Sequence, residues 1–446
     1  MSGIDGSIAN TALPTIAREL GTSPAESIWV VNGFQLAVTA SLLAFAALGQ
    51  LRGPTRVYRA GVIVFVAGSL ACALAHSLPL LIAARVLQGL GASAIMAISP
   101  AILRDIFPRA QLGRALGLNG VVVAASSAAG PTLGGLILAV LPWPWLFAIN
   151  VPLGLANIAL NRALPESERN RGWLDLPSVA TSALGFALTI WGLDGFARSE
   201  PAWTIALRLI AGITAASWFV RRQFTLERPM IALDLFRIPA FSFASATSFA
   251  TYMAQGLAFV ALPFSFQVAL GRTPLESGLL LTSWPLAVMV VAPLAGRLSD
   301  RFPAGVLATI GLAAMALGLG LYATLPAHPT GAEILLRGAL CGLGFGFFQS
   351  PNNRELIGSA PREKSTSAAG LLAVLRVSGQ TAGAAVVAIV FGVFGASVGG
   401  AAAPHDAVAH ASPAVLWLAC GCATVATLAS ALRLRGARPS ASAPPS

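Results

Sequence analysis

The longest charge-free stretch of this chain limits the possible folds more than any other feature. No Asp, Glu, Lys or Arg occurs between Ala115 and Asn161, which is a stretch of 47 residues. A helix needs about 20 apolar residues to cross the ~30 Å hydrocarbon core of a bilayer, so this stretch is long enough for two spans. Only 10% of the 446 residues are charged, against about 25% in soluble domains. We therefore expect a multi-span membrane protein.

The apolar stretches predict helices. They are long and continuous, unlike the ~10-residue alternating segments of membrane barrels. The expected fold class is all-α with about fourteen transmembrane helices, and no cleavable signal is predicted. Residues 2–17 would give about 24 Å of helix, which is short and predicts a truncated first helix or a start upstream of Met1. The predicted spans are 2–17, 27–50, 60–75, 79–102, 115–139, 143–161, 176–195, 202–220, 239–269, 277–296, 304–325, 330–350, 366–394 and 413–432.

The net charge of +11 is explained by its distribution along the chain. If the N-terminus is cytoplasmic, the inner loops and the C-terminal tail hold 21 of the 28 Lys and Arg residues, and the outer loops hold three. This bias follows the positive-inside rule and predicts a multi-pass protein of a bacterial cytoplasmic membrane with both termini in the cytoplasm. The basic balance therefore predicts topology and no nucleic-acid partner.

Two similar segments suggest a repeat. Gly49–Gly61 (GQLRGPTRVYRAG) follows the second predicted span, and Gly296–Gly305 (GRLSDRFPAG) follows the tenth. Arg85 comes 36 residues after Gly49, and Arg337 comes 41 residues after Gly296. This spacing predicts two parallel repeats of six spans with two further spans between them. The expected divisions are 1–164 for the first bundle, 165–237 for the two additional spans and their linkers, 238–434 for the second bundle, and 435–446 for a disordered tail.

Arg85 lies inside an otherwise uncharged stretch. A cation within the membrane costs at least about 2.5–3.5 kcal/mol on insertion scales, so it needs a partner or a role. One interpretation is a snorkelling arginine at a helix end. The following Gln88, Gly89 and Gly91 favour another, because a polar group beside small residues is typical of a helix interface or a water-filled cavity.

The first predicted span carries the other ionisable candidate. Asp5 is the only acidic residue within the first six predicted spans. Burial disfavours the charged form of a carboxylate, so this acid could take a proton from one side of the membrane and release it on the other. A cap at the membrane surface is the alternative. Asn10 and Pro14 follow on the same helix, where polar and kinking residues need a role.

The fifth predicted span contains a run of small residues. Gly130 and Gly134 form a GxxxG pattern, Pro131 interrupts the helix, and Gly135 extends the smooth face. Such a segment predicts a close, kinked helix contact that could seal one face of the molecule while the halves move.

Several segments in order resemble a known family. The chain is similar to fourteen-span drug/proton antiporters of the major facilitator superfamily, the QacA/EmrB-like family. The segments that carry the likeness are IDGSIANTALPTIARELG at 4–21, RVLQGLGAS at 85–93, GPTLGG at 130–135, WPWLFAINVPLG at 143–154 and LLAVLRVSGQTAGAAV at 371–386. The loop after the second span departs from the family pattern because it contains no Asp, which predicts altered gating.

The resemblance implies site residues. Asp5 and Arg85 would couple transport to protons, and the 130–135 segment would form the conformational hinge. Cavity or helix-interface positions would include Arg376 beside those named above. The gating loops would use Gly49 and Arg56 in one half and Gly296, Asp300 and Arg301 in the other.

The expected function is proton-coupled efflux of drugs or amphipathic organic compounds by alternating access. Its expected partners are a small-molecule substrate, protons and the lipid bilayer. The protein is expected to be a monomer. No metal or cofactor is expected. No nucleophile elbow, phosphate loop or metal-ligand spacing occurs in the sequence, so an enzyme is not expected. A metabolite uniporter or importer on the same fold, and a non-transporting sensor or degenerate protein, remain alternatives.

Overall fold

The computed structural model describes residues 2–161, 164, 175–197, 200–226, 229–299, 301–361, 364–395 and 405–436. These residues form helices and the turns that join them. A 3-10 turn, Leu233–Arg237, precedes α11, and a π-helical turn, Ser265–Ala269, continues it. The helices are α1 (Ser2–Glu19), α2 (Pro24–Ser27), α3 (Trp29–Arg52), α4 (Pro54–Ala73), α5 (Leu78–Ile106), α6 (Arg109–Val140), α7 (Trp145–Ala148), α8 (Asn150–Leu160), α9 (Leu176–Ala197), α10 (Ala202–Gln223), α11 (Pro239–Phe264), α12 (Pro274–Leu298), α13 (Ala304–Ala323), α14 (Gly331–Gly358), α15 (Ser365–Val393) and α16 (His405–Gly436).

Eleven helical segments in the described part of the chain are long and apolar enough to cross a membrane. The predicted count of fourteen is therefore three higher. The 18 residues of α1 carry three charges, Asp5, Arg18 and Glu19. The apolar helices Ala125–Val140 and Trp145–Leu160 are shorter than a full span. The predicted tail lies outside the described residues from 437 onward.

Capping boxes fix the starts of three helices. In each, a Ser or Thr side chain accepts from the backbone N–H three residues later, and the Glu at that position accepts from the cap backbone. The pairs are Ser23 with Glu26, Thr273 with Glu276, and Thr330 with Glu333. The first box starts α2, which leads directly into α3. Because α3, α12 and α14 run in the same direction through the bundle, the three boxes lie at one end of it, called the outer end below.

The helix contacts repeat along the chain. In the first half α5 packs on α3 and α4, α6 packs on α1, and α8 packs on α4. In the second half α14 packs on α12 and α13, α15 packs on α11, and α16 packs on α13. Each pair in the first set has its counterpart, in order, in the second.

Glycine permits the closest of these contacts at matching places. A Cβ on Gly91 of α5 would lie 2.3 Å from the backbone nitrogen of Phe65 in α4. A Cβ on Gly344 of α14 would lie 2.4 Å from the backbone nitrogen of Met315 in α13. Any larger residue would push these helix pairs apart, so the repeat is built on equivalent glycines.

The halves meet along two main lines, α6 against α12 and α3 against α15, with α1 also touching α11. The pair α9–α10 lies beside the second line, because α9 contacts both α3 and α15. The Trp29 indole N–H donates to Asp194 of α9 at 2.6 Å. Arg222 pairs with Asp175 at 2.8 Å and its hydrogen bonds hold the pKa of that carboxyl below its ordinary value.

We expect Trp29→Phe to loosen the α9–α10 pair from the bundle. The change removes a donor to a carboxylate that is only 6% exposed, and such a loss destabilises by about 1–3 kcal/mol. Chemical unfolding of the purified protein in detergent measures the difference. Trp203→Phe is the control, because Trp203 is 69% exposed and its removal should leave stability unchanged. Equal stability of both variants would contradict the anchoring role.

Candidate functional site

A buried ion pair lies at the centre of the first half. The guanidinium Nη1 of Arg85 on α5 is 2.5 Å from Oδ2 of Asp5 on α1. Arg85 is 0% exposed and Asp5 is 1% exposed. Arg85 therefore does not snorkel to a membrane surface, and Asp5 does not cap one. Arg85, the cation of the fourth predicted span, and Asp5, the only acid in the first six predicted spans, are therefore partners.

Amide side chains complete the pair. Gln88 Nε2 and Asn150 Nδ2 each donate to Asp5 Oδ1 at 2.8 Å. Arg85 Nη1 also donates to Gln88 Oε1 at 2.5 Å, and Gln88 Nε2 also donates to Ser69 Oγ at 2.8 Å. These groups come from α1, α4, α5 and the first residue of α8. One carboxylate thus receives hydrogen bonds from three side chains on two other helices.

Apolar and backbone groups surround the guanidinium on its other sides. Arg85 Nε donates to the carbonyl oxygen of Val30 on α3 at 3.0 Å. Its central carbon lies 4.2 Å from the ring centre of Phe34 and 5.3 Å from that of Phe147, within the range of cation–π attraction. The site therefore holds one positive and one negative charge away from water.

The two charges of this site balance only when both partners are ionised. With Asp5 ionised, the two charges balance and every donor around the carboxylate has an acceptor. A proton on Asp5 would cancel its charge and leave the Arg85 cation without a buried counter-ion, an arrangement disfavoured by several kcal/mol. A change of helix position that admits water or another anion would relieve it.

The small residues after Arg85 let neighbouring helices approach α5. A Cβ on Gly89 would lie 2.6 Å from the carbonyl oxygen of Phe34 on α3, and Gly91 faces α4 as described above. The two glycines thus bring α3 and α4 against the helix that carries Arg85 and Gln88.

The 130–135 segment of α6 contacts a different helix on each face. A Cβ on Gly130 would lie 2.3 Å from Ser7 Cβ of α1, and Gly134 is next to Ile8 of the same helix. Pro131 and Gly135 instead face α12 of the other half: a Cβ on Gly278 would lie 2.3 Å from the Pro131 oxygen.

A polar contact reinforces this α6–α12 seam. The hydroxyls of Thr132 and Thr282 are 2.5 Å apart across it. At the start of α12, the oxygen of Pro274 would lie 2.7 Å from a Cβ placed on Gly135 of α6. The two halves are therefore joined closely at the outer end of the bundle.

Helix α1 connects the ion pair to this seam. Asp5 lies one turn or less from the Ile4, Ser7 and Ile8 positions that touch α6. Further along, the carbonyl oxygen of Thr11 accepts from Gln267 Nε2, at the outer end of the second half, at 2.8 Å.

Two further predicted residues lie on the same helix. Asn10 is half-buried, and its side-chain oxygen has no hydrogen-bond partner among the described protein atoms. Pro14 is buried within the last turns of α1.

The remaining predicted residues do not join the pair. Gly49 and Gly296 are equivalent packing sites, since a Cβ would meet Ile98 of α5 at 2.1 Å in one half and Ser350 of α14 at 3.1 Å in the other. Arg376 is half-buried on α15. The others are Arg56, which lines a groove between α3 and α4, Arg301, which is exposed after α12, and Asp300, which lies outside the described residues.

Sequence reasoning missed Asn150 and Ser69. Asn150 belongs to the INVPLG segment at the start of α8, and its amide is buried in an apolar helix, which is an unusual place for an unpaired polar group. The position of this amide within an otherwise apolar segment was the available sequence signal. Ser69 gave no signal, because a serine on a helix commonly bonds to its own backbone, as this one also does to Phe65.

A family model described as Major Facilitator Superfamily matches residues 1–179 and 244–446. The chain belongs to the Major Facilitator Superfamily. The two matched blocks leave out residues 180–243, which contain most of α9 and all of α10. As a member of this superfamily the chain is an integral membrane transporter of small molecules, and not an enzyme.

Named relatives of this superfamily member cover most of its length. It is 49% identical over 398 residues to the "uncharacterized transporter YebQ" of Escherichia coli (strain K12), covering 89% of this chain and 87% of the relative. It is 33% identical to the riboflavin transporter RibZ of Clostridioides difficile (strain 630), covering 84% and 82%. It is 32% identical to the multidrug resistance protein Stp of Mycobacterium tuberculosis, covering 86% and 72%.

A solved structure shares the fold. A bacterial homologue of the human lysosomal transporter Spinster, in an inward-facing and unoccupied conformation, matches with a TM-score of 0.70. The alignment covers 98% of this chain and 96% of that one at 15% identity, so it shows the fold alone.

We expect removal of one charge of the pair to destabilise the protein more than removal of both. Arg85→Met leaves the Asp5 carboxylate buried without its counter-ion, which should lower the free energy of unfolding by about 3–5 kcal/mol. The double variant Asp5→Asn/Arg85→Met should lose less than Arg85→Met alone. Unfolding of the three proteins in detergent measures this.

Arg337→Met is the matched control for this cycle. Arg337 lies on the equivalent helix of the second half and, within the part of the chain that the structure describes, makes one hydrogen bond, to the carbonyl oxygen of Leu321, so its loss should change stability by about 1 kcal/mol or less. If the double variant were less stable than Arg85→Met, the two charges would not depend on each other.

Proposed function

We propose that this chain is a proton-coupled exporter of amphipathic organic compounds that works by alternating access. The observation that carries the proposal is the buried Asp5–Arg85 pair, joined by α1 to the seam between the halves. The relative Stp is named as a multidrug resistance protein, which supports an organic substrate. The fourteen-span drug/proton antiporter subfamily is part of the same proposal.

An ion pair in this place favours a functional role over a purely structural one. Two apolar residues of matching shape hold helices together about as well as a buried ion pair, or better. A carboxylate that must gain and lose a proton, however, requires a partner that holds its charge inside the protein. Asp5 is the proposed proton carrier, and Arg85 sets the balance between its two states.

Movement of α1 provides the coupling. Protonation of Asp5 weakens its attraction to Arg85 and its hydrogen bonds from Gln88 and Asn150. The helix is then free to shift relative to α5, and the contacts of Ile4, Ser7 and Ile8 with α6 shift with it. We propose that the α6–α12 seam opens as a consequence, which would expose the space between the halves on the outer side.

The charges set the proposed orientation. The inner ends of the helices carry most of the Lys and Arg residues, which supports an orientation with these ends and both termini in the cytoplasm, below a bacterial plasma membrane. All fourteen long helical segments would cross the bilayer, with α1, α6 and the α7–α8 pair crossing as shielded or bent helices. We propose that the sealed outer end marks an inward-facing state, and that the transporter acts as a monomer.

Asp5→Asn should abolish uphill transport driven by a pH gradient. A gradient of one pH unit is worth about 1.4 kcal/mol per proton, so a one-proton exchanger can hold roughly a tenfold substrate ratio across a vesicle membrane. The natural protein should reach this ratio with the best compound from an efflux panel of dyes and antibiotics, and Asp5→Asn should stay near unity.

The control for this assay is Asp406→Asn, which makes the same chemical change at a side chain that is 91% exposed. It should retain the tenfold ratio. Full gradient-driven accumulation by Asp5→Asn, at normal expression, would rule out Asp5 as the proton carrier.

The relative RibZ favours a second candidate function, transport of a metabolite with a heteroaromatic ring system. The same vesicles separate the two. An importer or uniporter would equilibrate riboflavin with the pH gradient collapsed, whereas an antiporter would lose accumulation of its substrate under that condition.

A disulfide across the seam should trap the transporter. Thr132→Cys/Thr282→Cys, in a background where the native cysteines are replaced by serine or alanine, places two thiols where hydroxyls now touch. Oxidation should abolish transport, and dithiothreitol should restore it, because the seam must open in each cycle. Undiminished transport after complete cross-linking would mean that the seam is static.

A further inference from the structure

Arg376 is a cation within a membrane-spanning helix that the mechanism above does not use. Because α14 begins at the outer end of the bundle, α15 begins at the inner end, and Arg376 lies eleven residues after its first residue, Ser365. That distance is about 16 Å of helix. The side chain is half-buried, and in the described part of the chain no hydrogen bond or ion pair joins it to another residue. A cation at this depth needs a partner, because the membrane interior disfavours an isolated charge.

The neighbouring helices offer Arg376 no counter-ion. The sequences of α3, α11 and α15 contain no Asp or Glu. Of the two acids of α14, one caps its outer end, and the other, Glu355, pairs with Arg433 at 3.2 Å. The acid of α9, Asp194, accepts from Trp29 at the outer end. The described helices that pack on α15 therefore supply no acid at the level of Arg376.

Arg376 projects between α3 and α11. Successive residues of a helix are turned by about 100°, so Arg376 lies on the shorter arc between the directions of Val377 and Gly379. Val377 belongs to one buried cluster with Phe34 of α3. A Cβ on Gly379 would lie 2.7 Å from the carbonyl oxygen of Phe249 on α11. Because α3 belongs to the first half and α11 to the second, the guanidinium points toward the space between the halves.

The strip of α15 that carries Arg376 is accessible toward the inner end. Ala369, seven residues earlier on the same strip, is exposed, and Ala373 is half-buried. The opposite strip is buried, and its Leu371 belongs to the same cluster as Phe219 of α10. A molecule can therefore approach the guanidinium from the inner side, between the halves and away from the α9–α10 pair.

Uncharged polar groups lie beside this cation. Gln380, one turn further along the strip, donates to Gln255 Oε1 of α11 at 3.0 Å. On α1, which packs on α11, Gly6 borders open space, since a Cβ on it would meet no atom of another helix within 4 Å. Asn10 is on the same face of α1, and its side-chain oxygen has no partner among the described protein atoms. These amides can hydrogen-bond to the uncharged part of a bound molecule.

We propose that Arg376 binds the anionic group of the exported compound, so that the substrates are amphipathic organic anions with a carboxylate, sulfonate or phosphate on an apolar body. This assignment rests on the proposed function, because it names the substrate class of that transporter. A planar guanidinium forms two parallel hydrogen bonds to such a group and neutralises its charge away from water. A cationic compound would instead meet a like charge at the same place.

Equilibrium dialysis of the full chain in phosphatidylcholine nanodiscs measures the preference directly, with binding to empty nanodiscs subtracted. The probes are pairs that differ only at the anionic group: naphthylacetate with naphthylacetamide, indoleacetate with indoleacetamide, and pyrenebutyrate with pyrenebutyramide. We expect at least one acid to bind roughly tenfold more tightly than its amide. Arg376→Gln should bring that acid to within about threefold of its amide and leave the affinity for the amide unchanged. Arg376→Lys should keep part of the preference, because it retains the charge without the planar fork.

Arg337→Gln is the matched control, because it makes the same chemical change on α14 at a side chain that donates to the Leu321 carbonyl oxygen of α13. It should keep the preference for the acid. The proposal is overturned if no acid binds more tightly than its amide, if Arg376→Gln retains the preference, or if Arg337→Gln loses it to the same extent. Dialysis uses no gradient, so loss of the acid preference beside intact gradient-driven efflux would remove only the anion assignment. Binding of the acid at Arg376 without gradient-driven accumulation would remove only the proton coupling.

Discussion

The attraction between Asp5 and Arg85 is the interaction on which the first half of this transporter depends. Either charge alone would be strongly disfavoured away from water, and the pair is tolerated because each neutralises the other and their remaining hydrogen-bonding groups are occupied. Satisfying them fixes the relative positions of α1, α3, α5 and α8. The small residues around Arg85 follow from the same need, because backbone must come close enough to enclose a guanidinium completely.

Helix α1 links the ion pair to the contact between the two halves. One face carries Asp5 toward α5, and another lies against Gly130 and Gly134 of α6. The opposite edge of α6 presents Pro131 and Gly135 to the other half. The buried ion pair and the inter-half contact are thus separated by the thickness of two helices, and glycines of α6 line the contacts on both of its faces. Close-packed surfaces of this kind change position as units instead of deforming gradually.

Much of the architecture could be predicted from the sequence, because the signals are local. Charge-free stretches indicated helices, and the matched positions of Gly49 and Gly296 indicated a repeat that the helix contacts reproduce. The partner of Arg85 could be narrowed to Asp5 by elimination, as it is the only acid nearby in the predicted spans. Asn150 and Ser69 were missed because hydrogen bonds between distant helices leave no periodic pattern. The shared role of α6, with alternate residues facing two different helices, also depends on tertiary placement that no single motif encodes.

The two halves share geometry but not chemistry. Arg337 lies on α14, the counterpart of α5, but Gly338 holds the place of Arg85 when Gly89 and Gly91 are matched with Gly342 and Gly344. Arg337 is partly exposed and donates to the Leu321 carbonyl oxygen. No acidic residue stands within α11, the counterpart of α1. The second half thus keeps the close glycine packing of the fold, at Gly344 for example, without the buried charge pair. If protonation changes the position of helices in only one half, the other half acts as the surface against which they move, and the seam at α6 and α12 is where the two must separate.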